Sequence, residues 1–164
     1  MKPPIGYPVY KEVAMQVSII YDLHAMCMQG ELELIKIRIL PQNINQPDIH
    51  GRTPLMHAVL GGHIEVARYL LSHQADLNRR DLQGWSALMW ASYYGKSELV
   101  TLLLQSKASV ILKNKKGMTA LQLAQLKGHK DIAETLNNKK SFQLTDQMQS
   151  WMYYLLSPRK TKNQ

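Results

Sequence analysis

Two consecutive stretches decide the fold: DIHGRTPLMHAVLGGHIEVARYLLSHQADLNRR, residues 48–80, and DLQGWSALMWASYYGKSELVTLLLQSKASVILK, residues 81–113. They overlay without a gap. Asp48 meets Asp81, Gly51 meets Gly84, Leu55 meets Leu88 and Ala58 meets Ala91. Further on, Gly62 meets Gly95, Glu65 meets Glu98, Leu70 meets Leu103 and Ala75 meets Ala108. Self-similarity at a fixed period of this size is the signature of a repeat architecture. The next period, 114–140, keeps Gly117, Thr119, Leu121, Ala124, Gly128 and Ile132. Upstream, DLHAMCMQGELELIKIRIL keeps Leu23, Gly30 and Glu33, one residue short in the second helix or in the loop after it.

Each unit has a physical reading. Asp followed three residues later by Gly suits a tight turn, because the carboxylate bonds nearby backbone N–H groups and Gly accepts a positive φ. Thr53-Pro54 then supplies an N-cap with proline at the first helical position. A short helix follows and ends at Gly62, Gly95 or Gly128 in the left-handed conformation. IEVARYLL, SELVTLLL and KDIAETL carry the 3.6-residue apolar spacing of a second, amphipathic helix. Ala58, Ala91 and Ala124 are small where first helices approach closely, and Leu70, Leu71, Leu103 and Leu104 are placed to fill the seams. One unit cannot bury its own apolar face, so stability must come from stacking.

The pattern D-x-x-G-x-T-P-L-x-x-A-x-x-x-G-H-x-E-V resembles the ankyrin repeat and covers roughly residues 18–138. The resemblance implies an all-α solenoid of about four helix-turn-helix repeats with short turn fingertips, at about 18–47, 48–80, 81–113 and 114–140. It also implies a concave surface, built from fingertips and first helices, that binds other proteins. It implies no catalysis and no cofactor. Departures are visible. Met56, Met89 and Gln122 stand where the family usually has the histidine of T-P-L-H, which only His24 matches. Histidine-mediated links between neighbouring turns are therefore expected to be missing from the middle of the stack. Ser86-Ala87 and Thr119-Ala120 keep the cap without proline, and Asn114 replaces the opening Asp of the last repeat. Members of the family include eukaryotic adaptors and effectors that intracellular bacteria deliver into host cells; 13 glutamines with many lysines and isoleucines are compatible with the second origin.

Outside the repeats, residues 1–17 read as an N-terminal arm, proline-rich over the first ten positions, with a short helix expected over 11–17. Leu144, Met148, Trp151, Met152 and Leu155 place an amphipathic helix at 141–157, stopped by Ser157-Pro158, as a cap on the last repeat or a docking element. A basic tail follows at 158–164.

The chain has 164 residues, enough for one domain. Its single cysteine, Cys27, excludes an internal disulfide and a Cys-rich metal site. No signal-peptide core and no membrane-length apolar run is present, so a cytoplasmic location is expected, or the host cytosol for a bacterial effector, with the nucleus as the alternative. The net charge of +8 is gathered toward the C-terminus, where 114–140 carries six basic and two acidic residues. The six histidines lack metal-ligand spacing; no metal, cofactor or catalytic residue is expected. His63 and His129 hold the family's Gly-His junction and are expected to be structural.

By the resemblance, binding falls to fingertip and first-helix residues: Arg52 and Leu60; Leu82, Trp85, Tyr93 and Tyr94; and Lys115, Lys116, Met118 and Lys127. Trp85, Tyr93 and Tyr94 gather in one repeat the residue types that dominate interface hot spots. Trp90 is expected to pack in the core. The expected partner is a protein that inserts an apolar or aromatic anchor flanked by acidic residues, met by a monomeric chain. The alternative is association with nucleic acid through Arg79, Arg80, Lys113, Lys115 and Lys116 in the basic C-terminal half.

Overall fold

The computed structural model describes residues 22–139, and every regular element in that span is helical. The helices come in pairs: α1 (Leu23–Gln29) with α2 (Leu32–Arg38), α3 (Pro54–Gly61) with α4 (Ile64–Ser72), and α5 (Ala87–Tyr93) with α6 (Ser97–Gln105). The last pair is α7 (Ala120–Lys127) and α8, which runs over 130–139. The arm expected at 1–17, the helix expected at 141–157 and the tail at 158–164 lie outside the described residues.

Hydroxyl caps start the first helices as the sequence requires. Thr53, Ser86 and Thr119 accept the backbone N–H of Met56, Met89 and Gln122, each at 3.4 Å. Gln122 returns the interaction: its Oε1 accepts the Thr119 N–H at 2.9 Å and closes a capping box. Gln122 is thus more than a departure from the family pattern; the Thr-x-x-Gln spacing is the signal that identifies its role.

The first helices pack side by side in the order α1, α3, α5, α7. Ala58, Ala91 and Ala124 are fully buried at these contacts, where a larger side chain would hold the backbones apart. Behind them Leu70, Leu103 and Leu136 are also fully buried; Leu104 is buried and Leu71 half-buried. The shortening of the first unit lies in its second helix, for α2 has 7 residues where α4 and α6 have 9. Asn43 closes the early end: its Oδ1 accepts the Leu40 N–H at 2.7 Å and its Nδ2 donates to the Arg38 carbonyl at 2.9 Å.

The turns repeat one device. Asp48 Oδ1 accepts the N–H groups of His50 and Arg52, and Asp81 Oδ1 those of Gln83 and Trp85, all at 2.8 Å. Asn114 Oδ1 serves Lys116 and Met118 in the same way. Neighbouring turns are laced by backbone, with Leu82 N–H donating to His50 O at 2.9 Å and Lys115 N–H to Gln83 O at 3.0 Å. No histidine is needed for that link. The second carboxylate oxygen is satisfied from the first helix. His57 Nε2 lies 2.9 Å from Asp48 Oδ2, and Trp90 Nε1 donates to Asp81 Oδ2 at 3.1 Å. In the fourth unit the corresponding residue is Leu123, which has no donor, and Asn114 stands in place of the acid. A carboxylate there would bury a charge with one oxygen unpaired; the amide carries no charge, and only its Nδ2 is left buried without a partner.

Two histidines tie units together. His63 Nε2 bonds Met28 O at 2.9 Å and His129 Nε2 bonds Tyr93 O at 3.2 Å, so the Gly-His junction is structural as expected. Each ring lies against the glycine that ends the preceding first helix, Gly30 or Gly95. A second ladder runs at the outer loops, where Asn45 Oδ1 accepts Asp76 N–H and, one unit on, Asn78 Oδ1 accepts Ser109 N–H.

Two predictions follow from these contacts. Gly95 has φ +68° and an added Cβ would lie 2.5 Å from the His129 ring, whereas Gly128 has φ +76° and open space around it. Both Gly→Ala changes sacrifice the left-handed preference, worth about 1–2 kcal/mol. Gly95→Ala is expected to lose about 1 kcal/mol more by displacing the His129 bond; equal urea midpoints for the two variants would refute that. The second concerns pH. Burial holds His57 below its ordinary value despite the bond to Asp48. Burial also acts to raise Asp48, but the Arg52 N–H, His57 and the His50 N–H together hold its carboxyl below the usual range. Because the folded His57 binds its proton less readily than the unfolded chain, stability is full above the unfolded value of about 6.5 and falls as pH drops through the folded one. Thermal unfolding should therefore move to lower temperature between pH 7 and 5, and His57→Trp, the residue the next unit uses, should flatten that slope.

Candidate protein-interaction surface

The third unit brings its aromatic residues together. Trp85 follows the Asp81 turn, and its backbone N–H is held by that carboxylate. Helix α5 and its C-cap residue then present Trp90, Tyr93 and Tyr94 at spacings of three and four residues, which fall on one helical face. The rings touch in sequence. Trp85 lies 4.3 Å from Trp90 between centroids and 5.2 Å edge-to-face from Tyr93. Tyr93 meets Tyr94 edge-to-face at 5.2 Å, and Trp90 stacks with Tyr94 at 6.0 Å. These are the offset and T-shaped arrangements that ring quadrupoles favour.

Trp90 packs against the core, as expected, but is not enclosed by it. It is half-buried, because its indole N–H must reach Asp81 and its ring is thereby held at the boundary between core and surface. Sequence reasoning missed that role, although an indole nine residues after a turn aspartate, where the previous unit has His57, was its signal.

Two cations from neighbouring units sit on this cluster. The Arg52 guanidinium lies 5.0 Å from the Trp90 ring centre, and Lys127 Nζ lies 4.4 Å from that of Tyr93. The aromatic face attracts each cation by its quadrupole. Arg52 is half-buried, and its Nε is enclosed without a hydrogen-bond partner.

The structure thus joins Arg52, Trp85, Tyr93, Tyr94 and Lys127 with Trp90. Tyr94 is 52% exposed, so the patch keeps apolar area open to solvent, while Leu82, 57% exposed, lies on the neighbouring cleft. Leu60 is half-buried one unit earlier, at the position of Tyr93. Lys116 is exposed on the fourth turn, and Met118 is half-buried against the core. Lys115 lines a different feature, a cleft between turns shared with Arg79, Arg80 and Lys113.

Reactive groups elsewhere are quiet. The Cys27 thiol is buried, and burial, then the nearby Asp22 charge, push it up to about 12, far from a nucleophilic thiolate. Among the described residues no group of three or more His, Cys, Asp or Glu side chains is arranged to hold a metal ion, and no helix is long and apolar enough to cross a membrane.

Comparison with known proteins agrees with this architecture. The chain is 44% identical over 55 residues to ankyrin repeat domain-containing protein 13C of Danio rerio, covering 34% of the chain and 11% of that protein. It is 39% identical over 57 residues to ankyrin repeat domain-containing protein 13A of Homo sapiens, covering 35% and 10%. It is 40% identical over 57 residues to the DNA-binding protein RFXANK of Homo sapiens, covering 34% and 22%. The matches thus span about a tenth to a fifth of these relatives. A family profile described as ankyrin repeats (3 copies) matches residues 23–81 and 80–148, most of the chain. Ankyrin repeats are in general protein–protein interaction modules. With the stacked helix pairs, the hydroxyl caps and the laced turns all in place, the chain belongs to the ankyrin repeat family.

Proposed function

We propose that this chain is a non-enzymatic interaction module, a cytoplasmic adaptor or effector that holds one protein partner against the concave surface formed by its turns and first helices. The observation that carries this reading is the cluster of Trp85, Trp90, Tyr93 and Tyr94 with Arg52 and Lys127 seated on its rings. Tryptophan, tyrosine and arginine are the residue types in which interface binding energy concentrates. Here they are already ordered by one another, so little side-chain entropy is lost on binding. Exposed Tyr94 and Leu82 offer area to an apolar or aromatic anchor. Arg52 and Lys127 offer charge to acidic residues beside that anchor.

The same cations argue against a partner led by lysine or arginine, because Arg52 and Lys127 already lie on the Trp90 and Tyr93 rings and would repel it. RFXANK is a DNA-binding protein by name, but the match covers 22% of it, so the likeness by itself carries no DNA-binding reading over to this chain.

The test is affinity capture from nuclease-treated lysate with wild type and the Trp85→Ala/Tyr94→Ala variant, after circular dichroism has established that both are folded. A specific partner is expected on the wild type and about 30-fold weaker on the variant, the loss of one to two hot-spot residues. Capture should persist at high salt, since the anchor is apolar. Equal retention by the two chains would overturn the aromatic site; retention that collapses with salt alone would place the contact on the basic residues instead.

A further inference from the structure

A cleft of about 500 Å³ runs across the second, third and fourth turns; Arg79, Arg80, Lys113 and Lys115 line it on the side of the third and fourth, and Pro47, Gly51 and Leu82 on the other. Gly84 lines it too, and the absence of a side chain there lets the Asn114–Lys115 backbone approach closely. Asp81 also lines it, but that carboxylate is spent: three N–H groups hold its two oxygens, and the residue is 8% exposed. Four cations against one committed acid leave an excess of three positive charges. Among the described residues none of the four has an acidic side chain within ion-pair distance. Arg80 instead turns its Nη1 toward the Lys113 carbonyl, at 3.4 Å, which draws the two cationic segments together.

The fold does not need this charge. One unit earlier Gln46 and Pro47 occupy the positions of Arg79 and Arg80, and Ile49 and Leu82 occupy that of Lys115, in turns built by the same hydrogen bonds. Gathering like charges in one cleft opposes folding, and the long Arg80 bond to the Lys113 carbonyl neutralises none of them.

We propose that this cleft binds a compact, multiply phosphorylated group, either a soluble polyol phosphate or the headgroup of a phosphorylated lipid. Arginine meets phosphate oxygens with paired N–H donors and lysine adds a point charge, and two of each converge on a volume suited to one small polyanion. A nucleic-acid track fits less well, since such a strand needs cations along successive turns, whereas the preceding turn has Gln46, Pro47 and Ile49 at the equivalent positions and its Arg52 lies on the Trp90 ring. The proposal does not rest on the aromatic surface.

Titration calorimetry of the full chain with inositol hexakisphosphate, at about physiological ionic strength, tests it. One site per chain is expected. Arg80→Gln and Lys113→Gln should each weaken it about tenfold or more, while Arg68→Gln, a change of equal charge on α4, should leave it within about twofold. Co-sedimentation with phosphatidylcholine vesicles containing phosphatidylinositol bisphosphate separates the sources: capture that the free polyphosphate competes away assigns a lipid headgroup, and binding of the soluble probe alone assigns a soluble ligand. Absence of binding to both probes would overturn the proposal. So would equal loss in Arg68→Gln, equal affinity for a poly-glutamate peptide, or tighter binding of a single-stranded oligonucleotide.

Discussion

A helix pair of this size has an apolar face that it cannot cover by itself, and everything else in the molecule answers to that constraint. Burial is achieved only against the next pair, so each unit must present the same surface at the same height. The three fully buried alanines of α3, α5 and α7 set the approach of the first helices, and the leucines of the second helices fill the space behind them. The period is the chain length needed to return to the same point on the next layer. The shortened α2 departs from it where Asn43 closes the loop early, and the stack continues.

Stacking also requires that the turns stay ordered, and one buried or half-buried acceptor per turn does this. Its first oxygen gathers two backbone N–H groups. Its second takes whatever donor the first helix supplies: an imidazole, an indole, or none, in which case the acid becomes an amide. Substitutions along the stack that look independent in the sequence are therefore coupled. Asp-His, Asp-Trp and Asn-Leu are three solutions to one problem of buried charge.

Function enters where this scaffold is indifferent. The position filled by His57 as a donor is filled by Trp90 with a ring attached, and that ring becomes the base on which Trp85, Tyr94 and Arg52 assemble. A structural bond thus orients the aromatic cluster proposed for recognition. The residues leading into the turns are equally free, because the turn hydrogen bonds use backbone and one acid. They hold Gln and Pro in one unit and two arginines in the next.

The sequence by itself determined the helix pairs, their caps, the small residues between them and the aromatic richness of the third unit. These follow from local periodicity and from residues whose conformational demands are strong, such as Thr53-Pro54 and the terminating glycines. It also marked Arg52 and Lys127 as basic neighbours of that unit. Only the tertiary structure decided that these cations lie on the rings, that Trp90 serves a turn as well as a surface, and that Lys115 joins Arg79, Arg80 and Lys113 rather than the aromatic patch. The physical reason is separation along the chain. Arg52 and Trp90 belong to different units, and their meeting depends on how one layer sits upon the next, which periodicity counts but does not orient.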